Sequence, residues 1–322
     1  MQIDIVIPCY RVSGQIASVV EQSLALRQVR NIIVIDDGCP ERSGEVARNH
    51  FPHEPRVVVI EHKTNQGVGG AVLSGYAHAF SHGAEVVVKV DGDGQMDPQL
   101  VPLLLAPVLQ GKADYAKGNR FFYPKHLTGM PRSRLFGNAT LSLINKFTSG
   151  YWSIMDPTNG FTALDRAAYR QLDTESLDRG YFFESDMLFQ LGIANAVVID
   201  VPMLPLYQNE TSSMNISKVA LQFPGKYLIR FLKRIAFKYF VREFNIASLE
   251  IMCGIPAMIA GLTYGIYHWV ASEYIGMPTP AGTVMIVGLL LLMGFQLLLS
   301  AVNYDITHEP NIPLSQRNPT LS

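Results

Sequence analysis

The chain has too few cysteines, too far apart, to be built on disulfides or on a cysteine-ligated metal. Three occur in 322 residues, at Cys9, Cys39 and Cys253, with no Cys-x-x-Cys pair. Free thiols are expected. Charge of one sign is lacking too: the formal net charge is −1 and only 16% of residues are charged. A balance of that kind lacks the basic excess of proteins that neutralise nucleic-acid phosphates, so no nucleic-acid partner is expected. No internal repeat or low-complexity tract is present. His78 and His82 share a helical face, but no Glu lies between them in the metalloprotease pattern, and they read as a surface pair.

The most informative absence is local. From Ile251 to Ser272, and again from Tyr274 to Tyr304, there is no Asp, Glu, Lys or Arg. Each run exceeds the roughly 20 apolar residues that cross a bilayer's hydrocarbon core, so two membrane spans are expected. Neither has a charge at its centre, which argues against a transporter. Tyr264, Tyr267 and Trp269 suit an interfacial belt at the outer end of the first span. No signal peptide is expected, because Met1 runs directly into a strand-like stretch, Ile3 to Pro8, with acidic Asp4 and no basic leader. Basic residues gather just before the first span: Lys218, Lys226, Arg230, Lys233, Arg234, Lys238 and Arg242, with no acid among them. The loop Glu273 to Pro280 has no basic residue. The positive-inside rule then places the large domain and both termini on the cytoplasmic side of a cell (inner) membrane.

The first 240 or so residues read differently. Strand-like runs at Ile3 to Pro8, Asn31 to Ile35, Val57 to Glu61 and Glu85 to Val90 alternate with helix-like segments at Gln15 to Leu26, Ser43 to Asn49, Val68 to Phe80 and Gln99 to Gln110. Alternation of this kind, with near-continuous apolar strands, predicts an α/β domain whose parallel sheet is covered on both faces. A strand at Asp114 to Gly118, a helix at Leu135 to Thr148 and a strand at Ala196 to Val201 follow. Gly225 to Phe244 reads as a basic amphipathic helix suited to an anionic membrane surface. The expected organisation is a catalytic domain over 1–215, juxtamembrane amphipathic helices over 216–245, a two-helix hairpin over 246–305 and a cytoplasmic tail over 306–322.

Ligands of such sheets bind beyond the carboxyl ends of the strands, so the residues there matter most. They are polar. Asp91-Gly92-Asp93 puts two carboxylates around a glycine turn at a strand end, a hard oxygen site for Mg²⁺ or Mn²⁺, which needs few protein carboxylates when phosphate oxygens complete its shell. Asp-Gly is also a common plain turn. Asp36-Asp37-Gly38 is a second acidic strand end, able to accept from a nucleotide base or ribose or to cap a helix. Asn65-Gln66-Gly67-Val68-Gly69-Gly70 opens a helix whose N–H groups can approach phosphate at Gly67. It does not have the Gly-x-Gly-x-x-Gly spacing of a dinucleotide site.

These motifs, with Val6-Ile7-Pro8-Cys9-Tyr10, Asp91-Gly92-Asp93-Gly94-Gln95-Met96-Asp97-Pro98, Gly118-Asn119-Arg120-Phe121 and Asp156-Pro157-Thr158-Asn159-Gly160-Phe161, stand in an order that resembles the family 2 GT-A glycosyltransferases. Within them the likeness is to polyprenyl-phosphate sugar transferases related to dolichyl-phosphate mannose synthase, and it covers about half of the chain before the spans extend it. The resemblance implies a Rossmann-like, mostly parallel sheet, a nucleotide-sugar donor with UDP-hexose favoured, a divalent metal and a polyprenyl phosphate acceptor. It implies that Pro8, Tyr10, Asp37 and Gln95 border the nucleotide, with Asp91 and Asp93 at metal and diphosphate. It also places Arg120, Arg132, Arg134 and Asn138 at the acceptor phosphate. Arginine suits that role because its planar fork pairs bidentately with phosphate oxygens. Asp93, Arg120 and Asp156 are the expected catalytic residues, with Asp156 ahead of Glu184 and Asp186 should a base be needed. Asn209 to Ser213 with Ile216-Ser217-Lys218 resembles the family's mobile segment before the membrane, or is a polar linker. The chain departs from the family at Arg11-Val12-Ser13, where relatives often have Asn-Glu, and at Asn119 between Gly118 and Arg120. Another membrane acceptor, a catalytically silent scaffold and a homo-oligomer all stay open.

Overall fold

In the computed structural model, residues 1–123, 132–204 and 216–317 are described, without the side chains of 132–134 and 216–221. Two compact units emerge: Met1–Arg234 together with Pro310–Ser322, and Ile235–Glu309.

In the first unit the elements run β1 (Ile3–Cys9), α1 (Ile16–Leu24), β2 (Val29–Asp36), α2 (Ser43–His50), β3 (Val57–Glu61), α3 (Val68–Ser81) and β4 (Val86–Lys89). A short 3₁₀ turn, Pro98–Leu100, leads into α4 (Val101–Leu109). Then come β5 (Tyr115–Asn119), α5 (Arg132–Ser149), β6 (Thr162–Asp165), α6 (Arg166–Tyr169), α7 (Phe183–Ala194), β7 (Val198–Pro202) and α8 (Ile216–Ala236). The sheet has seven strands in the order β3-β2-β1-β4-β6-β5-β7. β6 runs antiparallel to both β4 and β5, and the other pairings are parallel.

Successive side chains of a strand point to opposite faces, and here both faces are covered. Ile3, Ile5 and Ile7 of β1 pack with Ile16, Val19 and Leu104 on one side. Val6, with Ile33 and Ile35 of β2, packs with Val72, Tyr76 and Met187 on the other. That two-sided burial is why the strands read as unbroken apolar runs. The chain order reverses between β1 and β4, the switch point at which such sheets open a crevice. The register Cys9↔Asp36 and Asp36↔Glu61 brings the ends of β1, β2 and β3 level.

Two features differ from expectation. β6, a four-residue strand, was not foreseen, since Thr162–Asp165 has neither an apolar run nor turn signals long enough to mark it. Three basic residues of α8, a helix expected to suit a lipid surface, reach their own domain. Arg230 pairs in two-pronged fashion with Asp186 of α7 at 2.6 and 3.0 Å, Lys226 pairs with Asp178, and the buried Arg234 donates to the Phe147 carbonyl at 2.7 Å. The acids that attract them come from distant sequence. Leu228, Ile229 and Leu232 are left exposed on α8.

After the second unit the chain rejoins the first through α11 (Leu314–Arg317). Leu314 is buried, and its N–H donates at 2.8 Å to Asp114, just before β5. Burial pushes the Asp114 carboxyl up to about 6, against the N–H bonds from Val197 and Leu314. In the second unit a π-helical turn, Phe237–Arg242, precedes α9 (Ile246–Ile275) and α10 (Ala281–Thr307). Both α9 and α10 are long and apolar enough to span a membrane.

Candidate active site

The Asp91-Gly92-Asp93 turn leaves β4 beside the end of β1, where the Gly92 N–H donates to the Pro8 carbonyl at 3.3 Å. Pro8 is buried under it, whereas Tyr10 is exposed beside Arg11. The Gln95 N–H donates to Asp93 Oδ1 at 3.0 Å and fixes that carboxylate. Gln95 itself is exposed.

Asp36 and Asp37 divide their work. Asp36 accepts from the N–H groups of Cys39 and Gly44, at 2.7 and 2.6 Å, and serves the fold at the start of α2. Asp37 faces the glycine loop: its Oδ1 accepts from Gln66 N–H and its Oδ2 from Gly67 N–H, both at 2.8 Å. Gly67 sits at φ +87°, and a Cβ there would run into the Arg179 carbonyl, so glycine is required.

A charged cluster that the sequence analysis did not foresee lies beneath the acidic turn. Lys89, the last residue of β4, is 2% exposed. Its Nζ is 2.9 Å from Asp91 Oδ1 and donates to Glu184 Oε1 of α7 at 2.7 Å. Lys117 of β5 reaches Glu184 Oε2 at 3.4 Å and donates to the Asn159 carbonyl. Burial alone would lower the Lys89 pKa, but the charges of Asp91 and Glu184 outweigh it and hold the pKa above the usual range. For Lys117 burial prevails and its pKa falls. Burial likewise opposes ionisation of Glu184, yet the two lysines keep its pKa below normal. A lysine two residues before the acidic turn, in an otherwise apolar strand, was the signal to read.

The segment Asp156–Gly160 connects this cluster to Arg120. Asp156 is fully buried and accepts from Arg120 Nε at 2.7 Å and Nη2 at 3.0 Å, a two-pronged pair. At its other end Gly160 lies over the acidic turn, where a Cβ would stand 2.7 Å from Asp91 Oδ2 and clash with Lys89 Nζ. Pro8 therefore meets the acidic turn and Arg120 meets Asp156, with the Asp156–Gly160 segment running between the two. Asn138 is half-buried on α5. The side chains of Arg132 and Arg134, and the segment Asn209 to Ser213, lie outside the described residues.

The carboxylates weighed as bases are all engaged: Asp156 with Arg120, Glu184 with Lys89 and Lys117, and Asp186 with Arg230. Asp156, ranked first as a base, is the carboxylate that Arg120 grips.

Among the described residues no group of three His, Cys, Asp or Glu side chains could hold a metal. The acidic turn supplies two carboxylates, which is what Mg²⁺ or Mn²⁺ takes from proteins when substrate phosphates complete the shell. Asp91 Oδ1 is 2.9 Å from Lys89 Nζ, so the Asp91 oxygen offered to an ion would be Oδ2. The donor set fits such an ion.

A parallel-edged sheet with an acidic turn at its switch point defines the GT-A class of glycosyltransferase. Residues 4–173 match glycosyl transferase family 2, and the chain belongs to that family. It is 28% identical over 241 residues to a UDP-N-acetylglucosamine–dolichyl-phosphate N-acetylglucosaminyltransferase of Methanococcus voltae, covering 71% of this chain and 95% of the relative. An undecaprenyl-phosphate mannosyltransferase of Micrococcus luteus is 29% identical over 174 residues, 54% of this chain and 70% of that protein. In fold the chain is similar to glucosyl-3-phosphoglycerate synthase of Mycobacterium tuberculosis, solved with Mn²⁺ and UDP, at a TM-score of 0.53 and 19% identity over 72% of this chain and 79% of the other.

Proposed function

We propose that this glycosyltransferase moves a single sugar from a nucleotide sugar, with UDP-hexose the favoured donor, to a polyprenyl phosphate at the cytoplasmic face of the membrane, inverting the anomeric centre. The observation that carries the reading is the Asp156–Gly160 segment, which at one end clamps Arg120 and at the other overlies Asp91. One short segment thus touches both a cationic fork and the acidic turn, which supports reading them as parts of one site. The names of the two relatives, each a transferase to a polyprenyl phosphate, support the acceptor.

Asp37, Gly67 and the end of β1 border the nucleotide, and Asp91 and Asp93 would hold Mg²⁺ or Mn²⁺. That ion supplies charge neutralisation for the departing diphosphate. Arg120, aimed by Asp156, binds and orients the acceptor phosphate. A phosphate monoester has its second pKa at about 6 and is already largely ionised at neutral pH, so an oxygen can attack without a protein base. This agrees with the ion-paired state of Asp156, Glu184 and Asp186. α9 and α10 anchor the enzyme where an isoprenoid presents its head group.

The test is incubation of the purified chain with labelled UDP- and GDP-sugars and undecaprenyl or dolichyl phosphate, followed by organic extraction. Label enters the lipid phase only with Mg²⁺ or Mn²⁺ and falls at least about a hundredfold in Asp93→Ala, the scale of losing a group that stabilises transition-state charge. Label that stays in water with every donor would overturn the reading.

A further inference from the structure

His62 lies just beyond β3 and joins two elements that the sequence alone does not connect. Its Nδ1 is 2.7 Å from Asp37 Oδ1, and its Nε2 is 3.0 Å from Ser74 Oγ on α3. The His62 N–H extends the sheet by donating to the Asp36 carbonyl at 2.8 Å, and its side chain is 8% exposed beside an Asp37 side chain that is 4% exposed. Ring position and side-chain partners are thus both set.

We propose that His62 is a positioning residue of the donor site, holding the Asp37 carboxylate, and through it the Gln66–Gly67 backbone, in the arrangement a nucleotide diphosphate sugar meets. This rests on the glycosyltransferase reading above and adds a residue to it. An ionised carboxylate offers about four acceptor positions. At Asp37 the imidazole and the Gln66 N–H occupy Oδ1, and the Gly67 N–H occupies one position on Oδ2. A single acceptor position remains on Oδ2 for a ligand donor. Without the imidazole the carboxylate can rotate, and both the ligand position and the N–H groups that shape the start of α3 are misplaced. The carboxylate, which only accepts, puts a proton on Nδ1; in the neutral ring Nε2 then accepts from the Ser74 hydroxyl.

The order Asp37, His62, Ser74 has the partners of a nucleophile relay, but Ser74 lies inside α3, whose interior N–H groups are spent on the helix. α3 therefore supplies no donors for an oxyanion beside that hydroxyl, and positioning accounts for the geometry.

The test compares His62→Ala, His62→Asn and His62→Gln in the full chain in detergent, reading UDP and GDP affinity by calorimetry and donor KM and kcat by lipid labelling. An asparagine amide can take the place of Nδ1, and a glutamine amide that of Nε2. His62→Ala is expected to weaken nucleotide binding and raise donor KM about tenfold with kcat within about twofold, the scale of one hydrogen bond to a charged group. His62→Asn should recover most of the loss and His62→Gln should not. Wild-type binding of UDP or GDP with equal binding by His62→Ala would overturn this inference alone, as would a kcat loss shared equally by the three variants. A wild-type chain that binds neither nucleotide would sink the donor-site reading and this inference with it.

Discussion

Replacing Lys89 with methionine tests whether the buried charges under the acidic turn act as a unit. Lys89 Nζ is 2.7 Å from Glu184 Oε1 and 2.9 Å from Asp91 Oδ1. Its removal leaves Glu184 with Lys117 at 3.4 Å. Removing one partner of a buried pair costs about 3–5 kcal/mol, because the other charge stays out of water. For a unit of this size that lowers the unfolding midpoint by about 10 °C, at roughly 2–4 °C per kcal/mol. The double variant Lys89→Met with Glu184→Met removes both charges, and burial already lowers the pKa of the remaining Lys117. Its cost should therefore fall short of the sum of the single variants by roughly 1–3 kcal/mol. Thermal unfolding of the full chain in detergent measures the first and urea unfolding the second. Trp152, packed on Phe147 with ring centroids 4.8 Å apart, is the reporter, in a Trp269→Phe background. Single-variant costs that add to within about 0.5 kcal/mol would refute the coupling.

The remaining predictions concern the roof of the site and the tail. Gly160→Ala places a methyl 2.7 Å from Asp91 Oδ2, so it should cut transfer at least about tenfold and destabilise by about 1–3 kcal/mol, read by lipid labelling and urea midpoints. Asp114 has its carboxyl raised to about 6 from an ordinary 3.8. The folded chain thus holds that proton more tightly than the unfolded one, and the resulting stability, complete below about pH 4, is lost as pH rises through about 6. Asp114→Asn cannot ionise, so midpoints measured from pH 4 to 7 should shift progressively in its favour relative to wild type; a constant offset would contradict the assignment.

Some of this was readable in the chain because the physics is local. β1 to β4 and their helices are carried by unbroken apolar runs and by turn chemistry within a few residues of each strand end. Pro8, Asp37, Gly67, Asp91 and Asp93 sit at those ends and could be picked out singly. Partners could not be. Glu184 lies 95 positions from Lys89 and Asp156 lies 36 from Arg120, so no window of sequence shows that either pair is in contact. The same holds for α8, whose Arg230 and Lys226 pair with Asp186 of α7 and with Asp178 in the segment before it.

By itself the sequence determined the class of fold, the two apolar helices and the strand ends where polar residues collect, because each follows from hydrophobic periodicity or from neighbouring residues. Only the tertiary structure decided how the charges pair: that Lys89 lies under Asp91, that Asp156 grips Arg120, and that His62 ties Asp37 to Ser74. Burial makes an unpaired charge costly, and the fold alone selects which opposite charge is close enough to offset that cost.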